Sequence, residues 1–261
     1  MTDFYILLTL TTVLGLCFGS FANVLIYRIP KNISIINPRS FCPNCKISIP
    51  FYRNIPILSF ICQLGKCHNC SNKISLQYPI IEFFMASIWF YFMFDFKDQD
   101  LFNTIFSICI ISILIPLAII DLKHLYFPLS LLTILILLGI IQACINYDSF
   151  IGLMTGLSFL SLIFVLVKVW FKINKRNDTP MGFGDILLII PLGSWLGPLG
   201  ILLCFFLSSI LALFFWIVLF FTKGFSFKKK MPFGPYLIGS SILIKITDLD
   251  QLIFVLISQI K

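Results

Sequence analysis

Two aspartates lie where apolar segments meet polar ones, and carboxylates in such places can act as acid and base. Asp121 follows the apolar stretch 101–120, and Asp185 closes the tetrapeptide GFGD just before a long apolar run. A carboxylate in or against hydrocarbon is costly, so it is a functional hypothesis by default. One ionised and one protonated carboxyl group suit hydrolysis of an amide bond. We therefore predict a catalytic pair; the alternative is an exposed loop acid.

Two glycines precede the second aspartate. Gly182 and Gly184 carry no side chain, so they can let a substrate backbone approach or allow an unusual turn. We expect both to support the catalytic loop.

A second group of residues has the spacing of a metal site. Two C-x-x-C motifs are separated by 21 residues, a pattern typical of a tetrahedral site with four thiolates: Cys42, Cys45, Cys67 and Cys70. Disulfides and free thiols are the alternatives, and a reducing compartment disfavours disulfides. His68, inside the second motif, is expected to be exposed rather than ligating. The sequence predicts a structural zinc ion.

Composition determines which elements position these residues. The 261 residues are 59% hydrophobic and 11% charged, and the mean hydropathy is +1.02, outside the range of soluble domains. We predict an all-α polytopic membrane protein with about eight transmembrane helices. The predicted spans are 4–26, 79–94, 101–120, 129–147, 149–171, 185–197, 199–221 and 234–245 or beyond. Pro191 and Gly193 are expected to break the sixth span, and Lys245, Asp248 and Asp250 to interrupt the eighth.

Loop charges orient the helices. The segment 28–78 has seven basic residues and no acidic one, which places it in the cytoplasm by the positive-inside rule. The basic residues near Lys175 and Lys229 then also lie inside, and both aspartates share the cytoplasmic face. The net charge of +8 is spread over short loops, so an anionic lipid surface is favoured as partner over nucleic acid.

We divide the chain into a first transmembrane helix (1–27), a cytoplasmic cysteine-rich loop (28–78) and a catalytic helical bundle (79–261).

The order of several motifs gives a family resemblance over nearly the whole chain. They are GSFANV at 19–24, YRIP at 27–30, the two cysteine motifs, Tyr78-Pro79 with Glu82, Asp121, GFGD at 182–185 and PFGP at 232–235. In this order they resemble the type IV prepilin peptidases, a group similar to other intramembrane GxGD aspartyl proteases. Two departures stand out: Pro128 is followed by Leu129 where the family often has an aspartate, and Leu187 stands where a lysine is common.

The resemblance implies a bacterial inner-membrane endopeptidase with its catalytic face in the cytoplasm. It implies cleavage after a glycine in a type IV prepilin or pseudopilin, followed by N-methylation of the new amino terminus with S-adenosylmethionine. Asp121 and Asp185 would be the catalytic acids. No glycine-rich cofactor loop is present, so the S-adenosylmethionine residues cannot be named from spacing.

Five further residues near the first loop are weaker candidates for a substrate or methyl-transfer region: Gly19, Ser20, Asn23, Arg28 and Glu82. The first three share a helical face, which suits either close helix packing or a substrate groove. Glu82 is the only glutamate, and pairing with Arg28 or Lys73 is the structural alternative to a role in methyl transfer. Residues 232–235 are expected to be a turn that starts a helix.

Two other functions compete with this interpretation. A proton- or metal-coupled transporter also uses intramembrane acids; against it, both acids lie at one membrane face and not at the midplane. A peptidase without methyltransferase activity is the other alternative, and the cysteine-rich loop argues against it.

Overall fold

The structure, a computed structural model, describes residues 2–98, 101–174, 182–223 and 231–259. Within them the chain is helical, and its only β pairing consists of two isolated bridges. The α-helices are α1 (Thr2–Arg28), α2 (Leu58–Cys62), α3 (Gln77–Phe94), α4 (Leu101–His124), α5 (Leu129–Ile145), α6 (Tyr147–Ile173), α7 (Phe183–Lys223), α8 (Gly234–Thr247) and α9 (Leu249–Gln259). The predicted all-α class is confirmed.

Among the described residues, four helices are long and apolar enough to cross a membrane: α1, α4, α6 and α7. Many of their large apolar side chains are exposed, as expected for helices that face lipid. The chain divides into two compact units, Met1–Pro116 and Leu117–Lys261.

In the first unit, α1 packs along α3 through small residues. A Cβ on Gly15 would lie 2.9 Å from Cα of Ala86, and one on Gly19 would lie 2.6 Å from Cα of Glu82. The two glycines are four residues apart, the spacing that lets helix backbones approach closely in membranes. Gly15 was not among the predicted residues, and the contact of Gly19 with α3 gives Gly19 a packing role.

In the second unit, α7 packs on α5, α6 and α8. A Cβ on Gly152 of α6 would collide with the backbone oxygen of Gly193, and one on Gly139 of α5 would lie 2.7 Å from Cα of Pro191. The prediction that Pro191 and Gly193 interrupt this helix is wrong, because α7 continues through both residues. They are instead the positions at which α5 and α6 pack against α7.

The backbone of α7 breaks instead at Gly197. Its φ of 74° and ψ of 180° are non-helical and belong to a region that only glycine occupies readily. The break coincides with the predicted boundary between the sixth and seventh spans. Near the carboxyl end, α8 runs through Lys245 to Thr247 and is capped by Asp248, which has a φ of 44°, while Asp250 lies inside α9. The predicted interruption occurs at Asp248, and the predicted breaks at Lys245 and Asp250 are wrong.

Candidate active site

The two aspartates belong to the second unit, each at the end of a helix. Asp121 lies in the last turn of α4 and is 4% exposed. Asp185 is the third residue of α7 and is half-buried. The charge of Asp185 acts on the Asp121 carboxyl group, so the two groups lie within electrostatic reach of each other. The structure therefore brings together the two predicted acids, although 63 residues of sequence lie between them.

The start of α7 fixes the second aspartate. Gly182 precedes the helix, and its backbone N–H donates to the Asp185 carboxylate. In return, the N–H of Asp185 donates to the carbonyl of Gly182 at 3.2 Å. An acid at the third helical position commonly bonds back to the capping residue in this way. Gly184 lies inside α7 with a φ outside the left-handed region. The support that the two glycines give to the catalytic loop stays a prediction.

The first aspartate contacts the start of α8. The backbone N–H of Gly234 donates to the Asp121 carboxyl, while Oδ2 of Asp121 is buried without a hydrogen-bond partner among the described residues. That oxygen is available to a water molecule or to a substrate carbonyl. Residues 232–235 do start a helix, since α8 begins at Gly234 with Pro235 in its first turn. The sequence analysis missed that the same turn supplies a donor to an acid.

The four cysteines predicted as ligands lie in the first unit and form one cluster. Their Sγ atoms all lie within 4.8 Å of one another, and those of Cys42 and Cys70 are 3.9 Å apart. Zinc–sulfur bonds of about 2.3 Å in a tetrahedron require sulfur atoms about 3.8 Å apart, so the cluster fits a metal ion of this type. His68 and Cys62 are exposed and lie outside the cluster, as expected for His68.

The two cysteine motifs adopt the same local structure. In each, the first cysteine N–H donates to the carbonyl five residues on: Cys42 to Ile47 at 3.0 Å, and Cys67 to Asn72 at 2.9 Å. In each, the residue four positions after that cysteine has a positive φ and donates back to its carbonyl. Each hairpin contributes two thiols, and all four thiols lie around one point. The loop can therefore supply all four ligands of a tetrahedral metal site.

Two asparagines complete the cluster. Asn44 and Asn69 each precede the second cysteine of their motif, and each donates to a thiol of the opposite motif, Cys70 and Cys45 respectively. The backbone N–H of Asn72, with help from Asn44, lowers the pKa of Cys70 to about 6. Burial raises the pKa of Cys42 to about 11. Donors of this kind orient metal ligands and favour their thiolate form, and the sequence analysis missed them.

The weaker candidates of the first unit join the loop to α1 and α3. Asn23 is buried, and its side chain donates to the carbonyl oxygens of Gly19 at 3.1 Å and Tyr78 at 3.2 Å. Arg28 is 4% exposed and donates to four loop carbonyls, of Ser34, Ile35, Pro38 and Arg39. Both contacts are structural.

Glu82 pairs with neither Arg28 nor Lys73. Its Oε2 accepts the backbone N–H of Ile57 at 2.7 Å, and it also accepts the hydroxyl of Ser20. Ile57 directly precedes α2 and has a positive φ of 59°. Glu82 therefore anchors a strained loop position to α3 and α1, which gives Ser20 a structural role too.

Removing the Glu82 carboxylate should release the loop. In Glu82→Ala the part-buried N–H of Ile57 loses its acceptor, which costs up to about 1–3 kcal/mol where water does not replace the carboxylate, whereas Glu82→Gln keeps a side-chain oxygen. We expect limited proteolysis to cut within residues 51–64 faster in Glu82→Ala than in Glu82→Gln. Equal cleavage rates in both variants and the wild type would contradict this anchoring role.

Comparison with known proteins identifies the family. Residues 13–96 match the Bacterial Peptidase A24 N-terminal domain, and residues 108–217 match the Type IV leader peptidase family. The first match contains the cysteine cluster and the second contains both aspartates. The chain belongs to the type IV leader peptidase family.

Relatives named prepilin leader peptidase/N-methyltransferase include proteins from three different bacteria. The protein of Neisseria gonorrhoeae is 32% identical over 267 residues, covering 90% of this chain and 88% of the relative. That of Vibrio cholerae is 32% identical over 257 residues, covering 92% and 96%. That of Myxococcus xanthus is 36% identical over 196 residues, covering 73% of this chain and 57% of the relative. No solved structure gave a significant match.

Proposed function

We propose that this chain is a membrane aspartic endopeptidase that removes the leader from type IV prepilins or pseudopilins after a glycine and N-methylates the new amino terminus. The observation that carries the proposal is the pairing of Asp121 with Asp185 at adjoining helix ends. The names of the relatives supply the substrate class and the second activity.

The chemistry follows from a carboxyl pair that holds one proton. The ionised carboxylate takes a proton from water as the water oxygen bonds to the scissile carbonyl carbon. The protonated partner gives its proton to the carbonyl oxygen. When the carbon–nitrogen bond breaks, the leaving amine takes a proton from one carboxyl group while a hydroxyl of the tetrahedral intermediate gives a proton to the other, so the pair again holds one. The unpartnered Oδ2 of Asp121 suits contact with the water or the carbonyl.

We assign zinc to the cysteine cluster as a structural ion. The four thiols fill a tetrahedral site completely and leave no position for a reacting water. Zinc, when bound, ties the two hairpins together. S-adenosylmethionine supplies the methyl group that replaces a proton on the new amino terminus; no residue is assigned to it, because no glycine-rich turn between a strand and a helix occurs in the described residues.

The positions of the two acids favour a peptidase over a transporter. Transporter sites lie near the bilayer midplane, often at broken helices. Asp121, in contrast, lies in the last turn of α4, and Asp185 lies in the first turn of α7. The break at Gly197 is twelve residues from Asp185, about 18 Å along a helix.

We propose the eight-span topology with the cysteine-rich loop and both acids on the cytoplasmic face of the inner membrane. The two parts of α7 on either side of Gly197 would form two spans. Three further spans would come from α3, α5 and α8, in addition to the helices that are both long and apolar enough to cross a membrane. The basic segments near Lys175 and Lys229 lie outside the described residues. Anionic lipid is the expected counterpart of the basic loops.

Reporter fusions test this topology. Because basic residues concentrate in the first loop and favour retention inside, fusions at Lys46, Lys175 and Lys229 should report a cytoplasmic location. A fusion at Asp148 should report the opposite side. An external signal from Lys46 would invert the topology and move the acids away from the leader.

One assay tests both activities. The purified protein is incubated with a prepilin peptide and labelled S-adenosylmethionine, and mass spectrometry records cleavage and methylation separately. We expect a cleaved product that carries the labelled methyl group. Cleavage without methylation would support a peptidase alone, and the absence of both would overturn the proposal.

A further inference from the structure

Phe127 lies beside the aspartates because of a tight reversal after α4. The helix ends at His124, and the N–H of Leu125 donates to the carbonyl of Asp121 at 2.9 Å. Leu125 has a φ of 58°, a left-handed conformation that is unusual for a bulky residue. Phe127 follows two residues later and Pro128 caps α5. The reversal returns the phenylalanine ring toward the end of the helix that carries Asp121.

The ring fits between two glycines at the starts of two helices. A Cβ on Gly184 of α7 would lie 2.5 Å from Cδ2 of Phe127. A Cβ on Gly234 of α8 would collide with Cζ of the same ring and would lie 2.8 Å from Oδ2 of Asp121. One edge of the ring therefore rests on the helix start that holds Asp185, and its tip rests on the helix start that bonds to Asp121.

Backbone conformation does not require glycine at either place. Gly184 and Gly234 both have φ values outside the left-handed region, and both lie within helices. Alanine is compatible with such a backbone. The space taken by the Phe127 ring is what excludes a side chain.

We propose that Phe127 is a positioning residue that sets the spacing between the helix starts carrying Asp185 and Gly234, and thereby the geometry of the carboxyl pair. This proposal rests on the proposed function for its catalytic consequence. The Phe127 ring acts by steric contact with Gly184 and Gly234. Gly184 of the GFGD motif leaves the space that the ring occupies.

A double-mutant cycle tests the proposal. Gly184→Ala should push the ring and the helix start apart, and a misplacement of about 1 Å lowers kcat on the order of 100-fold. Phe127→Ala removes the ring and should lower kcat by about 10-fold, with Phe127→Leu closer to wild type. The double variant Gly184→Ala/Phe127→Ala should be at least about 10-fold more active than Gly184→Ala alone, because contacting residues couple. KM should change little in all of them. Phe150→Ala, an exposed aromatic on α6, is the matched control.

Two further measurements separate positioning from stability and from the proposed activity. A changed spacing of the carboxyl groups shifts the pH profile of kcat, whereas a loss of folded protein lowers its height only. Thermal unfolding in detergent needs no substrate: Gly184→Ala should lower Tm, and Phe127→Ala should recover part of the loss. Rescue of Tm without any peptidase activity would overturn the proposed function and leave the steric coupling standing.

A double variant no more active and no more stable than Gly184→Ala would overturn the inference, since Gly184 would then serve substrate approach alone. An unchanged kcat and pH profile in Phe127→Ala would overturn it as well.

Discussion

Asp121→Asn and Asp185→Asn should each abolish leader cleavage, with kcat lowered at least about 10⁴-fold, because replacing one member of a catalytic unit removes nearly the whole contribution of that unit to the rate. Asparagine keeps the size of the side chain but neither takes nor gives the proton that hydrolysis requires. Cleavage of a prepilin peptide by purified protein, followed by mass spectrometry, measures the loss. The double variant should be no worse than either single one, since each already lacks the pair.

The control for this experiment is Asp148→Asn. Asp148 is an exposed acid in the first turn of α6, and its replacement should leave cleavage near the wild-type rate. Equal membrane yields of all the variants would show that insertion is intact. Near-normal cleavage by either Asp121→Asn or Asp185→Asn would contradict the assignment of the pair.

Replacing any one of the four clustered cysteines by serine should weaken zinc retention at least about 10²-fold. The closed site needs four thiolates, and metal binding of this kind is coupled to folding of the loop that supplies them. Cys62→Ser is the matched control, because Cys62 lies in the same loop but outside the cluster. Metal analysis of purified wild type and the five variants measures the effect.

The two activities should respond differently to loss of zinc. The aspartates and the glycines that support them all lie in the second unit, whereas the cysteine cluster lies in the first. We therefore expect the cysteine variants and chelator-treated protein to lose methylation before cleavage. A zinc-free wild type that retains both activities would rule out the metal site.

The sequence was sufficient where spacing alone encodes the structure. Cys42, Cys45, Cys67 and Cys70 form the predicted cluster because each C-x-x-C hairpin is local. Asp121 and Asp185 could be predicted as site residues because placing a carboxylate beside a long apolar segment costs free energy, and such residues usually have a function. The catalytic role of the pair and the identity of the metal stay predictions.

The sequence was insufficient where a residue's role depends on a distant neighbour. Gly184 is conspicuous in the motif, but the reason for its missing side chain is Phe127, 57 residues earlier. Glu82 was expected to seek a charged partner, yet a backbone N–H from the loop satisfies it. Such contacts depend on reversals like that at Leu125, a residue type that gives no signal for a left-handed φ.

The non-helical backbone at Gly197 has a consequence for how the family can vary in length. Twelve positions separate it from Asp185 along α7, and each residue added to or removed from a helix rotates everything beyond it by about 100°. One end of this stretch is tied by the contacts of Gly193 and Gly197 with Gly152. An insertion or deletion within 186–192 would therefore turn Asp185 away from Asp121. The number of residues between Asp185 and Gly193 is therefore constrained by the proposed pairing of the two acids.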